Sequence, residues 1–238
     1  MVNLYDQVKE ITMLTLSPQD ISAVWLSLKV ACSATLIATP FGIACGYFLA
    51  FGKTRGKAVI EGMISLPLVL PPVVVGYLLL LSFGSNGIIG KFLNLLGIQV
   101  VFSLTGAVIA SAVVGFPLMV RSIRIGMEAV DQSYISVSRT LGAGWWDSFF
   151  TIVLPLSSRA IFSGMSLMFA RNLGEFGATV ILAGNIPGVT QTIPLAIYEY
   201  TAVPGGDRMA LTLCLVSISL SFAILLVSEG INRKFKKG

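Results

Sequence analysis

Two side chains of opposite charge, Arg171 and Glu175, stand four residues apart inside an otherwise apolar stretch that runs from Ala160 to Ala183. A helix of that length crosses a bilayer, and near its centre each ionised residue costs about 2.5–3.5 kcal/mol on insertion scales, so the pair needs a reason to be there. On one helix the two share a face and can pair, which neutralises the site without removing its polarity. One reading is a pathway or gate, with the Arg171 guanidinium bearing on a passing anion and Glu175 restraining it. The other is a structural ion pair that locks two helices. Ala170, Gly174 and Ala178, again at four-residue spacing, add a ridge of small residues against which another helix can pack closely.

Other chemistry is thinly represented. The sequence has no histidine, which excludes His-dependent metal sites, Ser-His and Cys-His nucleophiles and imidazole proton shuttles. Its three cysteines, Cys32, Cys45 and Cys214, sit singly in apolar blocks and read as packing residues, so no metal site is expected. There is no glycine-rich phosphate loop ending in Lys and Ser or Thr. An energy source for any transport must therefore come from a partner.

The elements that would position the charged pair follow from composition. Of 238 residues 55% are hydrophobic and 11% charged, against about a quarter charged in ordinary globular domains. We expect an all-α membrane protein, a single domain over residues 1–238, with five spans at about 21–51, 60–82, 104–125, 160–183 and 209–231. Residues 1–20 would lie outside the membrane as a retained surface segment, since they lack the features of a cleavable signal. Ser17-Pro18-Gln19-Asp20 reads as a helix start. In the second span Pro67, Pro71 and Pro72 oppose a straight helix, and a break in hydrocarbon survives only where protein or a watery cavity satisfies the backbone. That makes the three prolines candidates for a pathway wall, the alternative being a packing kink. No internal repeat is visible, which disfavours a lone secondary transporter.

The net charge of +5 is informative through its placement. Lys53, Arg55 and Lys57, then Arg121, Arg124, Arg139 and Arg159, then Arg233, Lys234, Lys236 and Lys237 fall on one side, against Lys9, Lys29, Lys91 and Arg208 on the other. Eleven against four puts the C-terminus in the cytoplasm and the N-terminus outside. With its charge arranged around spans, the chain is expected to contact membrane lipids and no nucleic acid.

Between the third and fourth spans, residues 126–155 form a long cytoplasmic loop. Two short helical pieces, Gln132 to Leu141 and Trp145 to Val153, flank Gly142-Ala143-Gly144, and Trp145, Phe149, Ile152 and Val153 make an apolar face that must be buried against something. The spacing of Gly142, Ile152, Leu154 and Pro155 resembles the "EAA" signature of ABC importer permeases, in which glycine is followed after nine residues by Ile-x-Leu-Pro. The resemblance implies the type I ABC importer permease fold and makes this loop a coupling helix seated on an ATPase subunit, with Ser136, Val137, Ser138, Arg139, Thr140, Leu141, Gly142 and Ala143 at the contact. Ser136, Val137 and Ser138 stand where the signature has Glu-Ala-Ala, so the acidic contact is missing while small residues remain. A partnerless interfacial amphipathic helix would explain the apolar face but not the Gly-to-Pro spacing.

The run from Ala170 to Thr179 with Gly-Glu-Phe-Gly at its centre, the later Ala183 to Gly188 and Thr190 to Tyr198, and Leu66-Pro67-Leu68-Val69-Leu70-Pro71-Pro72 resemble the molybdate permease family. The resemblance implies import of molybdate across the cytoplasmic membrane by alternating access. It also implies a second copy of the chain, two ATP-binding cassette subunits that use ATP and Mg, and a periplasmic or surface-anchored oxyanion-binding protein received by the connections at 83–103 and 184–207. The chain itself would bind no cofactor and catalyse no bond chemistry. Tungstate, sulfate or thiosulfate are the alternative cargoes. A proton-coupled transporter or an intramembrane hydrolase is disfavoured, because the first has a single mid-membrane acid and the second lacks histidine and a carboxylate pair.

Overall fold

The structure is a computed structural model, and it describes residues 16–52 and 55–234, with side chains up to residue 230. The expectations for most of the N-terminal segment, for Lys9 and Lys53, and for Arg233, Lys234, Lys236 and Lys237 concern residues or side chains outside that range. Among the described residues every regular element is helical.

Helix α1, Pro18–Phe51, begins as the sequence dictates. The Ser17 hydroxyl accepts from the Asp20 N–H at 3.1 Å, and the Asp20 carboxylate accepts from the Ser17 N–H at 2.8 Å. This capping box satisfies two of the amides that a helix start leaves without partners. A break divides the second hydrophobic segment into α2, Lys57–Val69, and α3, Pro72–Phe83, whose axes differ by 114°. Pro67 lies within α2 without ending it, whereas Leu70 and Pro71 take extended ψ values of 144° and 134° and Pro72 opens α3. Pro40 and Pro117 likewise sit inside long helices. The outer connection contains an unanticipated short helix, α4, Ile88–Leu95.

Helix α5, Leu104–Glu128, is capped by the Ser103 hydroxyl and is the central post of the molecule. It packs along α1 and along α9, Ser158–Leu173, with smaller contacts to α2, α3 and α10, Gly177–Leu182. The loop between α5 and α9 folds as α6, Gln132–Thr140, then α7, Trp145–Ser148, a π-helical turn, Phe149–Val153, and the single turn α8, Leu154–Leu156. Helix α11, Ile193–Thr201, lies in the second outer connection, and α12, Asp207–Lys234, closes the chain.

One expectation needs correction. The fourth segment is not one helix over 160–183: α9 stops at Leu173 and α10 starts at Gly177, so Ala170, Gly174 and Ala178 do not form a continuous ridge. Among the described residues three unbroken helices, α1, α5 and α12, are long and apolar enough to cross a membrane, and the bent pairs α2 with α3 and α7–α8 with α9 bring the number to five where each pair is one crossing.

Small residues set the packing distances. A Cβ at Gly164 of α9 would meet the Met119 carbonyl oxygen of α5 at 2.9 Å, and one at Gly46 of α1 would meet Ile123 at 2.7 Å. Without a hydrophobic drive between helices in lipid, such close approach is how helices gain dispersion contact. The main core gathers Ala34 and Ala38 of α1, Met119, Ile123 and Met127 of α5, Met168 of α9, and Phe149 and Val153 of the loop. A second core joins Val75 of α3 to Ala110 and Val114 of α5 and to Ala178 and Leu182 of α10.

A Cβ on Gly76 of α3 would stand 2.8 Å from both the Cα and the carbonyl oxygen of Ala178, backbone that cannot turn aside. Gly76→Ala should therefore destabilise by about 1–3 kcal/mol, the usual range for overpacking. Gly62→Ala on α2 meets nothing within 4 Å and should be neutral or mildly stabilising. Thermal unfolding of the two variants in one detergent separates the cases.

Candidate functional site: two helix breaks in contact

The site begins with a helix that cannot continue. Helix α9 reaches Leu173 and ends at Gly174, a poor helix former, and the Glu175 N–H bonds the Asn172 carbonyl at 3.2 Å as the chain turns. After Phe176 the chain resumes as α10, whose first amides lack intrahelical partners. The Glu175 carboxylate supplies one: its Oε1 accepts from the Ala178 N–H at 2.9 Å. Its other oxygen, Oε2, lies 2.9 Å from Nη1 of Arg171. That contact is not aligned as a hydrogen bond, so it acts through charge.

The pair expected from sequence is thus present, in a different setting. Arg171 lies in the last turn of α9 and Glu175 in the gap between helices. Their exposures differ: 1% for the Glu175 side chain and 32% for that of Arg171. The carboxylate is committed to the backbone of the break, and the charge that remains accessible is the guanidinium. Gly174, also singled out from sequence, is exposed, and a Cβ there would meet only the Arg171 carbonyl at 3.9 Å.

The second break lies against the first. A Cβ at Gly177 would be 2.9 Å from the Cβ of Pro72 and 3.1 Å from the Val73 nitrogen, and one helical turn on, Gly76 meets Ala178 in the same way. Of the candidate prolines, Pro71 and Pro72 therefore stand at the junction of the two interrupted helices. Pro67 stands elsewhere, beside an apolar cavity of 380 Å³ lined by Ile37, Ala38, Met63 and Phe116 among others. Sequence reasoning missed Gly76, Gly177 and Asn172. Asn172 is 5% exposed and packs on Gly115 of α5, where a Cβ would stand 2.5 Å from its Oδ1. An asparagine beside a mid-span ion pair was the available signal.

The loop at residues 126–155 divides its residues between two faces. Phe149 and Val153 insert into the main core, and Tyr47 of α1 meets Phe149 and Trp145 edge-on at ring-centre distances of 5.2 and 5.3 Å. Of the apolar face foreseen from sequence, Phe149 and Val153 are therefore buried on the chain's own helices, while Ile152 is half-buried and Trp145 is 44% exposed. Gly142 has φ +91°, the left-handed conformation that the Gly-Ala-Gly turn anticipates. Asp131 caps α6 by accepting from the Ser133 N–H at 2.8 Å, which holds its carboxyl below the usual range. Ser136, Val137, Arg139, Thr140, Leu141 and Gly142 are exposed, and Ala143 is half-buried. Ser138 is half-buried: its hydroxyl lies 2.9 Å from that of buried Ser148, so it ties α6 to α7.

Replacing Arg171 by Met leaves a buried carboxylate without its cation, a change of a kind that costs about 3–5 kcal/mol at fully buried pairs and less here because Arg171 is one-third exposed. Glu175→Gln keeps the oxygen that accepts from Ala178. The double variant Arg171→Met with Glu175→Gln should therefore recover much of the loss, and melting temperatures of the three variants measure the coupling.

Residues 38–237 match the family model described as "Binding-protein-dependent transport system inner membrane component". The chain is 49% identical over 219 residues to the molybdenum transport system permease protein ModB of Haemophilus influenzae, covering 92% of this chain and 96% of that one. It is 52% identical over 212 residues to the protein of the same name from Escherichia coli K12, covering 89% and 93%. The fold matches a chain of a bacterial alginate ABC transporter, crystallised with an alginate pentasaccharide-bound periplasmic protein, with a TM-score of 0.77 at 15% identity over 95% of this chain and 83% of that one. Helix order, broken spans and these matches agree: the chain belongs to the binding-protein-dependent transport system inner membrane components and has the fold of an ABC importer permease.

Proposed function

We propose that this chain is the membrane-spanning permease subunit of an ATP-driven molybdate importer. The observation that carries the reading is the near-half identity to molybdenum permeases over about nine-tenths of both chains, from residues that include both helix breaks. The geometry supports the class of cargo. In the middle of the bundle the accessible charge is a guanidinium, and its carboxylate partner is withdrawn into the backbone of the break, which suits a dianion and repels a cation.

The mechanism follows from the two breaks. An interrupted helix bends without losing its remaining backbone bonds, so α3 and α10 can move as one unit across their glycine contacts while α5 stays as the post. Two copies would form one path at their interface, with Arg171, Gly174, Pro71 and Pro72 of each copy along it and Pro67 behind. ATP hydrolysis belongs to two cassette subunits that receive the exposed α6 and the Gly142 turn. Because Phe149 and Val153 are locked into the core, a push on that turn reaches Met119, Ile123 and Met168 directly. A binding protein on the outer side would deliver the anion to the connections holding α4 and α11. The loop carrying α6 would then face the cytoplasm and the Ser17 end the outside, a reading that the distribution of cations supports.

Proteoliposomes holding the chain with its ATPase and binding protein should take up radiolabelled molybdate in an ATP-dependent manner, while the chain alone takes up none. Saturating uptake of sulfate with no molybdate uptake would replace the cargo. After removal of Cys32, Cys45 and Cys214, a cysteine at Leu141, which is 83% exposed, should crosslink to the ATPase subunit, whereas one at Phe149 should not.

A further inference from the structure

On the loop side of the breaks, α2 stands away from the bundle. None of its residues is buried, and its extensive packing is on α5 alone. Between them lies a cavity of 270 Å³ lined by Leu49, Glu61, Ile64, Ser65, Pro117, Val120, Arg121 and Arg124. Its character differs from that of the two apolar cavities, beside Pro67 and between α1, α9 and α12, because two guanidinium groups, a carboxylate and a hydroxyl meet here. Room for a small ion with part of its water is ample.

The charges are unevenly committed. Arg124 forks between Glu61 across the cavity and Glu128 on its own helix, the latter at 2.7 Å. Arg121 is exposed and has no ion pair among the described residues, and Ser65 has no hydrogen bond among them. Arg124 is thus met by two carboxylates, and Arg121 is the cation of the lining that has no carboxylate partner among the described residues. The Arg124–Glu61 contact is also replaceable, because the side chains are 23% and 45% exposed and a half-solvated pair holds weakly. A tetrahedral oxyanion offers acceptor oxygens to both guanidinium forks at once, where the Glu61 carboxylate reaches Arg124 alone. Along α5, Arg121 and Arg124 lie six and nine residues beyond Gly115, the neighbour of Asn172, or about 9–14 Å at the helical rise.

We propose that this cavity is a second oxyanion site on the loop side of the break, in which Arg121, Arg124 and Ser65 hold the transported anion before release. The anion displaces Glu61 from Arg124, and that displacement loosens α2, which is otherwise held by its packing on α5 and by the Leu70–Pro71 break. This inference rests on the reading of the chain as an oxyanion permease.

The test is equilibrium binding of radiolabelled molybdate to the permease–ATPase complex in nanodiscs, without the binding protein, alongside uptake in proteoliposomes. Arg121→Gln should weaken binding about tenfold, Arg121→Lys less because charge survives while the fork does not, and Glu61→Gln should tighten it severalfold. Unchanged affinity in Arg121→Gln and in Arg121→Gln with Ser65→Ala, while wild-type complex still imports molybdate, would overturn the site and leave the permease reading standing. A phospholipid phosphate presents the same oxyanion chemistry, so discs of phosphatidylcholine alone are compared with discs containing phosphatidylglycerol. Equal molybdate affinity in both supports the transported anion, and loss of it in phosphatidylglycerol discs assigns the cavity to a lipid headgroup and defeats the proposal.

Discussion

An interrupted helix in hydrocarbon must find partners for the backbone groups it sets free, because no water is there to take them. In this molecule a side chain meets part of the requirement at one break, and the second break packs against the first. Glu175 gives one carboxylate oxygen to the first turn of α10, and the junction of α2 and α3 leans against that same turn through Gly177 and Gly76. Neither break would be as well protected without the other. The glycines let two backbones approach to a distance that any side chain would prevent, so the pairing of breaks depends on residues whose contribution is the absence of atoms.

The ion pair takes its meaning from that arrangement. Structural locking and pathway charge are alternatives only while Arg171 and Glu175 are imagined on one uninterrupted helix. With the helix broken between them the roles separate: Glu175 is nearly inaccessible and holds the turn, and Arg171 keeps a third of its side chain open. A buried acid that serves the backbone can sit beside a partly exposed base, and the net character of the accessible surface is then cationic.

The loop shows a similar division of labour. A short amphipathic piece outside the membrane could rest on lipid, on a partner or on its own protein, and Phe149 and Val153 settle this by entering the core beside Met119 and Ile123. The outward face is left to α6 and the Gly142 turn, where Tyr134, Val137 and Leu141 are more than half exposed. The exposed turn therefore stands on a close-packed seat.

Much of this was legible in the linear chain, for reasons of period and solvation. Long apolar blocks have few places to go but lipid, the Ser17-Pro18-Gln19-Asp20 cap is a local reaction between neighbours, and Gly142 announces a left-handed turn because other residues resist one. Proline spacing foretold that the second segment would not run straight. What remained hidden was every feature created by contact between segments distant in sequence. The gap at Gly174–Phe176 carries no proline, and besides the local bond from Glu175 it is packed against Pro72 and Val73, a hundred residues earlier. The tie of Ser138 depends on Ser148, and the union of Arg124 with Glu61 depends on where α2 comes to rest. Sequence alone determined which long stretches are apolar and where the first helix is capped, since those follow from nearest neighbours and from the bilayer. Tertiary packing decided where helices stop, which charge is left accessible and what faces outward, since each is settled by the free energy of groups brought together only by the fold.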